Sequence, residues 1–260
     1  MWQAEDGKRE ASLATETVNC LAVSKDGKWI AGGINDQVSV WDATTFQVSW
    51  KHEGRPVNAV DFSPDSTRLV SASDERTAIV WDIANGKQMQ TLSHDDVLIA
   101  AKYSLQGDRI ATATFDSVIV WDSNDGRSLV NIKVTVVPWY NNGLLWFNDH
   151  LLVVSDGKIK EFNAFTGSTV SEWPVPDTAW YSCIALPKHA EFVAYSTKRM
   201  VTFWDTSTHA QLALTVQHPQ GVHSIALSSD DRLLAIGGEG GNIVVKRLFG
   251  IIVSIASIGL

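Results

Sequence analysis

At 260 residues and 45% hydrophobic content the chain is long enough to bury a large core. A formal net charge of −8 and a pI near 5.3 argue against holding nucleic acid or an anionic membrane through bulk field, so neither is expected as a partner. Two cysteines, no Asn-x-Ser/Thr sequon and the polar start Met1-Trp2-Gln3-Ala4-Glu5-Asp6 predict a cytoplasmic or otherwise intracellular, reducing location without secretion.

In chain order, residues 1–12 read as the end of a strand unit, because Trp2 followed by Gly7-Lys8 copies Trp81 followed by Gly86-Lys87. Val18 to Gly32 then read as two strands around the turn Ser24-Lys25-Asp26-Gly27, and Val38-Ser39-Val40 runs into Trp41-Asp42. The pattern returns from Val57 to Ser73 around Ser63-Pro64-Asp65, and Ala78-Ile79-Val80 runs into Trp81-Asp82. Val118-Ile119-Val120 leads to Trp121-Asp122, so the first three Trp-Asp pairs stand forty residues apart. The next clear pair, Trp204-Asp205 after Val201-Thr202-Phe203, comes 83 residues later, which leaves room for two units. A degenerate copy is expected at Ile159-Lys160-Glu161-Phe162-Asn163, where Phe162 replaces the indole and Gly167 follows it by five residues, as Gly86 follows Trp81. Val222 to Gly237 opens a last unit in which Lys246 holds the Trp place after Ile243-Val244-Val245.

Alternation such as Val57, Ala59 and Phe62 marks half-buried strands, and β-branched residues fill most of these runs. Asp26-Gly27, Asn85-Gly86 and Asp125-Gly126 supply turns that tolerate positive φ. Helical apolar spacing and helix caps are absent, which predicts an all-β fold. A fixed period of this length means units that cannot bury their apolar faces alone and stack on their neighbours.

The forty-residue period, the terminal Trp-Asp and the Ser-Pro-Asp turns resemble the WD40 family from about residue 15 to 247. The resemblance implies a WD40-type β-propeller over 1–247, with six four-stranded blades and Trp-equivalents at 41, 81, 121, 162, 204 and 246. An incomplete seven-bladed ring is the alternative, and a piece of a longer array is a third reading. Closure of the ring is open between residues 1–12 and residues 248–260, Leu-Phe-Gly-Ile-Ile-Val-Ser-Ile-Ala-Ser-Ile-Gly-Leu. The latter is a hydrophobic tail or extra outer strand, well short of the ~20 residues that span a bilayer. Phrases such as Phe62-Ser63-Pro64-Asp65-Ser66-Thr67-Arg68 are also similar to WD40 arrays in fungal signalling proteins of the NACHT type, where the propeller is a sensing module.

The resemblance further implies a buried Trp, Ser/Thr, His, Asp network in each blade. Its fullest set is Trp121, Thr112 or Thr114, His94 and Asp116, followed by Trp81, Ser73, His52 and Glu75. Asp36 lies near Trp41, Asp177 stands at the histidine place for Trp204, and His218 stands there for the last blade. Because this trio recurs at repeat-defined positions, a structural role outweighs a catalytic triad. No Cys-x-x-Cys, His-Glu-x-x-His, GxGxxG, Walker or GxSxG pattern is present, so no metal, cofactor or catalytic residue is expected, and Gly237-Gly238-Glu239-Gly240-Gly241 reads as a hairpin turn.

Function is then expected to be a noncatalytic scaffold holding a protein or peptide on one propeller face. Residues of that face not required by the network are Arg55, Arg76, Trp139, Tyr140, Trp180, Tyr181, Lys198 and Arg199, of the types that anchor interfaces. The competing readings are an enzyme with a central-channel site, which needs repeated inward polar positions, and a lipid-associated propeller, which needs basic blade edges.

Overall fold

The computed structural model describes residues 17–136, 143–176 and 182–248. The first sheet holds β1 (Val18–Val23), β2 (Trp29–Ile34), β3 (Gln37–Asp42) and β4 (Val48–Glu53). The second holds β5 (Val57–Phe62), β6 (Arg68–Ser73), β7 (Thr77–Asp82) and β8 (Gln88–Ser93). The third holds β9 (Ala100–Tyr103), β10 (Arg109–Ala113), β11 (Ser117–Asp122) and β12 (Ser128–Lys133). The fourth holds β13 (Leu144–Phe147), β14 (His150–Ser155), β15 (Lys158–Asn163) and β16 (Thr169–Pro174). The fifth holds β17 (Ile184–Ala185), β18 (Phe192–Thr197), β19 (Met200–Asp205) and β20 (Gln211–Gln217). The sixth holds β21 (Val222–Leu227), β22 (Leu233–Gly238) and β23 (Ile243–Arg247), three strands among the described residues. Every sheet is an antiparallel meander in chain order, so the six sheets are the six blades of a β-propeller.

Register makes the repeat physical. Trp41, Trp81, Trp121, Phe162 and Trp204 pair with Ile30, Leu69, Ile110, Leu151 and Val193 of the neighbouring strand, and Lys246 pairs with Leu234. In each of the first five blades the pairing of third and fourth strands shifts beside the aromatic, a bulge that strengthens local twist. Each aromatic after the first packs on the preceding blade: Trp81 lies with Val38 and Val40, Trp121 with Val70 and Val80, and Trp204 with Val154 and Ile159. An indole burying roughly 200 Å² contributes on the order of 5 kcal/mol as an upper estimate, so these wedges carry the ring.

The turns use side chains as internal caps. Ser24, Ser63 and Ser228 donate to Asp26, Asp65 and Asp230 at 2.7, 2.6 and 2.6 Å, while their hydroxyls accept the amides of Trp29, Arg68 and Leu233. The aspartate of each Trp-Asp pair caps the next turn: Asp42 accepts from the Thr45 amide at 2.7 Å, Asp82 from Ala84 at 2.8 Å, Asp122 from Asn124 at 2.8 Å and Asp205 from Thr208 at 2.7 Å. Asn163 does the same in the fourth blade.

Gly86 within such a turn has φ +67, and a Cβ there would lie 2.8 Å from the Trp50 ring of the preceding blade. The same left-handed place is Phe46 in the first blade and His209 in the fifth, where the imidazole stacks on Trp173 of the preceding blade at 4.2 Å and 6°.

Candidate functional site

The hydrogen-bond network sits where the strand register allows. The Trp121 indole donates to Thr112 at 2.7 Å, and His94 Nε2 lies 2.7 Å from the same hydroxyl while Nδ1 lies 3.1 Å from the Leu92 carbonyl. Thr114 donates to Asp116 at 2.9 Å, which holds the Asp116 carboxyl below its ordinary range. Between the two threonines left open by the sequence, Thr112 therefore serves the indole. In the second blade Trp81 donates to Ser71 at 2.8 Å, not to Ser73 as expected; Ser73 instead accepts the Glu75 amide at 3.2 Å. Both serines point to the same side, but Ser71 pairs with Val60 and Ser73, two residues further along the strand, pairs with Val57 and is out of reach.

His52 is exposed and packs on the Trp81 ring at 4.7 Å between centroids. It pairs with Val38, whereas His94 comes after the outer strand, so the two histidines are not equivalent. His218 shares the His94 place and is 3% exposed, with Nδ1 3.0 Å from the Gln220 carbonyl and Nε2 buried without a partner. The reason lies in the sixth blade: Ile236 stands where Thr112 stands, and Lys246 replaces the indole.

One main-chain contact repeats around the ring. The carbonyls of Asp36, Arg76, Asp116, Gly157 and Arg199 accept amides of Gly54, His94, Val134, Val175 and His218 at 2.6 to 3.1 Å. Arg76, not Glu75, therefore holds the place of Asp36 and Asp116 in the second blade, and Arg199 holds it in the fifth. Arg76 adopts φ +62, and its side chain is exposed, as are those of Arg55, Lys198 and Arg199. Arg55 and Arg76 flank the second blade, whereas Lys198 and Arg199 lie three blades away, so these candidates form two groups. Trp139, Tyr140, Trp180, Tyr181 and Asp177 lie outside the described residues.

Inward chemistry is sparse. Asp61 and Lys102 form an ion pair at 3.2 Å across the second and third blades, and Asp61 also accepts the Tyr103 amide at 2.9 Å. The positions in register in the other blades are Ala22, Leu145, Ala185 and Ala226, so no polar ring is repeated. Ser171, Glu161 and His150 come together on the fourth blade, with the Glu161 carboxylate 2.5 Å from His150 Nδ1 and 2.5 Å from the Ser171 hydroxyl. The carboxylate sits between the other two, so the serine proton goes to Glu161 and the imidazole is not placed as its base. Among the described residues no group of three or more His, Cys, Asp or Glu is arranged to hold a metal ion. No described helix is long and apolar enough to cross a membrane.

Sequence reasoning passed over the cross-blade arginines. Arg68 donates to the Ser123 carbonyl at 3.0 Å, and Arg109 donates to Ala164 at 3.3 Å with its guanidinium 3.7 Å from the centroid of the Phe165 ring. Their shared position, five residues after Ser63 and Ser104, was the available signal.

Six meander sheets, five of them with an aromatic wedge in register, make the chain a six-bladed β-propeller. The family model for the WD domain, G-beta repeat, matches residues 7–42, 45–82 and 211–245, each match ending in the third strand of a blade. The chain is 25% identical over 244 residues to the U3 small nucleolar RNA-associated protein 15 homolog of Xenopus laevis, covering 89% of this chain and 46% of that protein. It is 27% identical over 155 residues to the small ribosomal subunit protein RACK1y of Oryza sativa subsp. japonica, covering 59% of this chain and 45% of that one. The chain thus spans about half the length of these relatives. The β-propeller domain of Myceliophteria thermophila Cps50 (Swd1) superposes with a TM-score of 0.78 at 15% identity, over 91% of this chain and 84% of that chain, a likeness of fold.

Proposed function

We propose that the protein is a noncatalytic interaction scaffold that holds a protein or peptide partner on the propeller face carrying Arg55 and Arg76. The observation behind this reading is that the main chain of Arg76 is held by the frame while its side chain is exposed, so the frame fixes where the cation stands and leaves it open to a partner. Trp139, Tyr140, Trp180, Tyr181, Lys198 and Arg199 are further candidate anchors of the same face.

Two relatives are named, respectively, for association with U3 small nucleolar RNA and as a protein of the small ribosomal subunit. A place inside an RNA-containing assembly fits this reading, with contact made through protein, because a net charge of −8 disfavours phosphate. An intracellular location accompanies it. Affinity purification of the intact chain from its own cells, with mass spectrometry, tests the proposal. Arg55→Ala/Arg76→Ala is expected to lose a defined set of proteins that Val48→Ser, on the outer edge of the first blade, retains. Identical recovery from both variants would remove the face assignment, and recovery that depends on RNase-sensitive RNA would remove the protein partner.

A further inference from the structure

Among the described residues, five of the six seams between blades are sealed and the sixth is open. Where the first blade meets the second, Val38, Val40 and Ala31 are 2%, 0% and 0% exposed beneath Trp81. The residues in register on the sixth blade are Ile243, Val245 and Ala235, and Ile243 and Val245 are 61% and 44% exposed. The other wall repeats the contrast. Val60 and Phe62 of the second blade are 0% and 8% exposed, whereas Leu21 and Val23, in register on the first blade, are 60% and 65% exposed. Between these walls lies a cleft of about 440 Å³ lined by Val18, Leu21, Ile225, Ala226, Ala235 and Ile243 together with small or neutral polar residues, and no charged side chain lines it.

We propose that this cleft is the docking surface for the chain's own segment 249–260, which lies against the exposed walls of the first and sixth blades. Position and charge select that occupant. The described chain ends at Leu248, buried one residue after β23, so the segment follows directly from the strand whose Ile243 lines the cleft. Twelve residues extended reach roughly 40 Å, ample to cross it. Phe249 to Leu260 contain no charged residue and carry four isoleucines and a valine, matching uncharged apolar walls. The opposite end is a poor match, because residues 1–16 include Glu5, Asp6, Lys8, Arg9, Glu10 and Glu16, whose charges would lose water in such a cleft. Exposed apolar faces of this kind are costly to leave bare, which gives the segment its driving force.

Thiol alkylation of an Ile243→Cys variant reads the contact directly. The native thiols give a quiet background: Cys183 is buried, and burial pushes the Cys20 thiol up to about 12. The full chain is expected to react about tenfold more slowly than the same variant ending at Leu248, while Val48→Cys, 55% exposed on the outer edge of the first blade, reacts equally in both. Should the shortened chain fail to fold, seen as alkylation of the buried Cys183, Ile255→Asp in the full chain replaces it with the same expected loss of protection. Equal Ile243→Cys rates with and without the segment overturn the proposal. So does protection that grows with protein concentration, which places a second copy in the cleft, or protection removed only by deleting residues 1–16.

Discussion

The second blade offers a test of how the indole wedges are specified. Trp81 is 2% exposed and donates to the buried Ser71 hydroxyl, whereas the fourth blade has Phe162 and Val153 at the same two places and keeps its aromatic buried at 4%. The fourth blade has thus replaced donor and acceptor together by apolar groups. Ser71→Val alone orphans the indole N–H, and Trp81→Phe alone orphans the serine hydroxyl, each at about 1–3 kcal/mol. Trp81→Phe adds about 1–2 kcal/mol for lost apolar contact and incomplete collapse. The double variant leaves neither group orphaned, so only the packing loss remains, and its destabilisation falls short of the sum by at least ~1 kcal/mol. Urea unfolding of the four proteins, followed by far-UV circular dichroism and by fluorescence with coincident transitions, measures the cycle. Coupling within about 0.5 kcal/mol of zero would refute the view that the hydrogen bond, not ring shape, ties Trp81 to Ser71.

Gly86→Ala is expected to lower thermal stability by about 1–3 kcal/mol, because a left-handed residue gains a Cβ 2.8 Å from Trp50; a melting temperature equal to wild type would place the strain elsewhere. Burial holds His94 below its ordinary value of 6.5, so the unfolded chain takes up this proton first as pH falls, and stability declines below about pH 6.5 until the lower folded value is passed. His94→Gln should flatten that part of the stability curve between pH 7 and 5, and a curve parallel to wild type would refute the assignment. Hydrogen bonds from Ser24, Ser63 and Ser228 depress the carboxyls of Asp26, Asp65 and Asp230, whose contribution is complete above about pH 4 and is lost as pH falls through the lower folded values. Ser63→Ala is therefore expected to shrink the acid-side loss, read as a smaller difference in urea midpoint between pH 5 and 3.

Much of the frame was legible because a period of forty residues constrains every copy at once. Even the degenerate fourth copy, with Phe162 in the indole place, was placed by the 83-residue gap between Trp121 and Trp204 together with Gly167. Spacing does not carry cross-strand register, however, and a serine two residues along a strand looks equivalent until pairing is known. Hence Ser73 stood for Ser71, and Glu75 for Arg76. The same limit hid Arg68 and Arg109, whose partners lie 55 residues away on the next blade. The open seam was not legible either, since Ile243 and Val245 read as ordinary strand residues and only the missing neighbour distinguishes them.

The carbonyl contact at Asp36, Arg76, Asp116, Gly157 and Arg199 separates two duties that one residue usually shares. The main-chain oxygen joins the turn to the segment entering the next blade, and any amino acid supplies it. An acid, a base and a residue with no side chain at all fill the same place without altering the wheel. Such a position works as a socket: its charge can be exchanged blade by blade to suit a new ligand surface while the scaffold beneath keeps its shape.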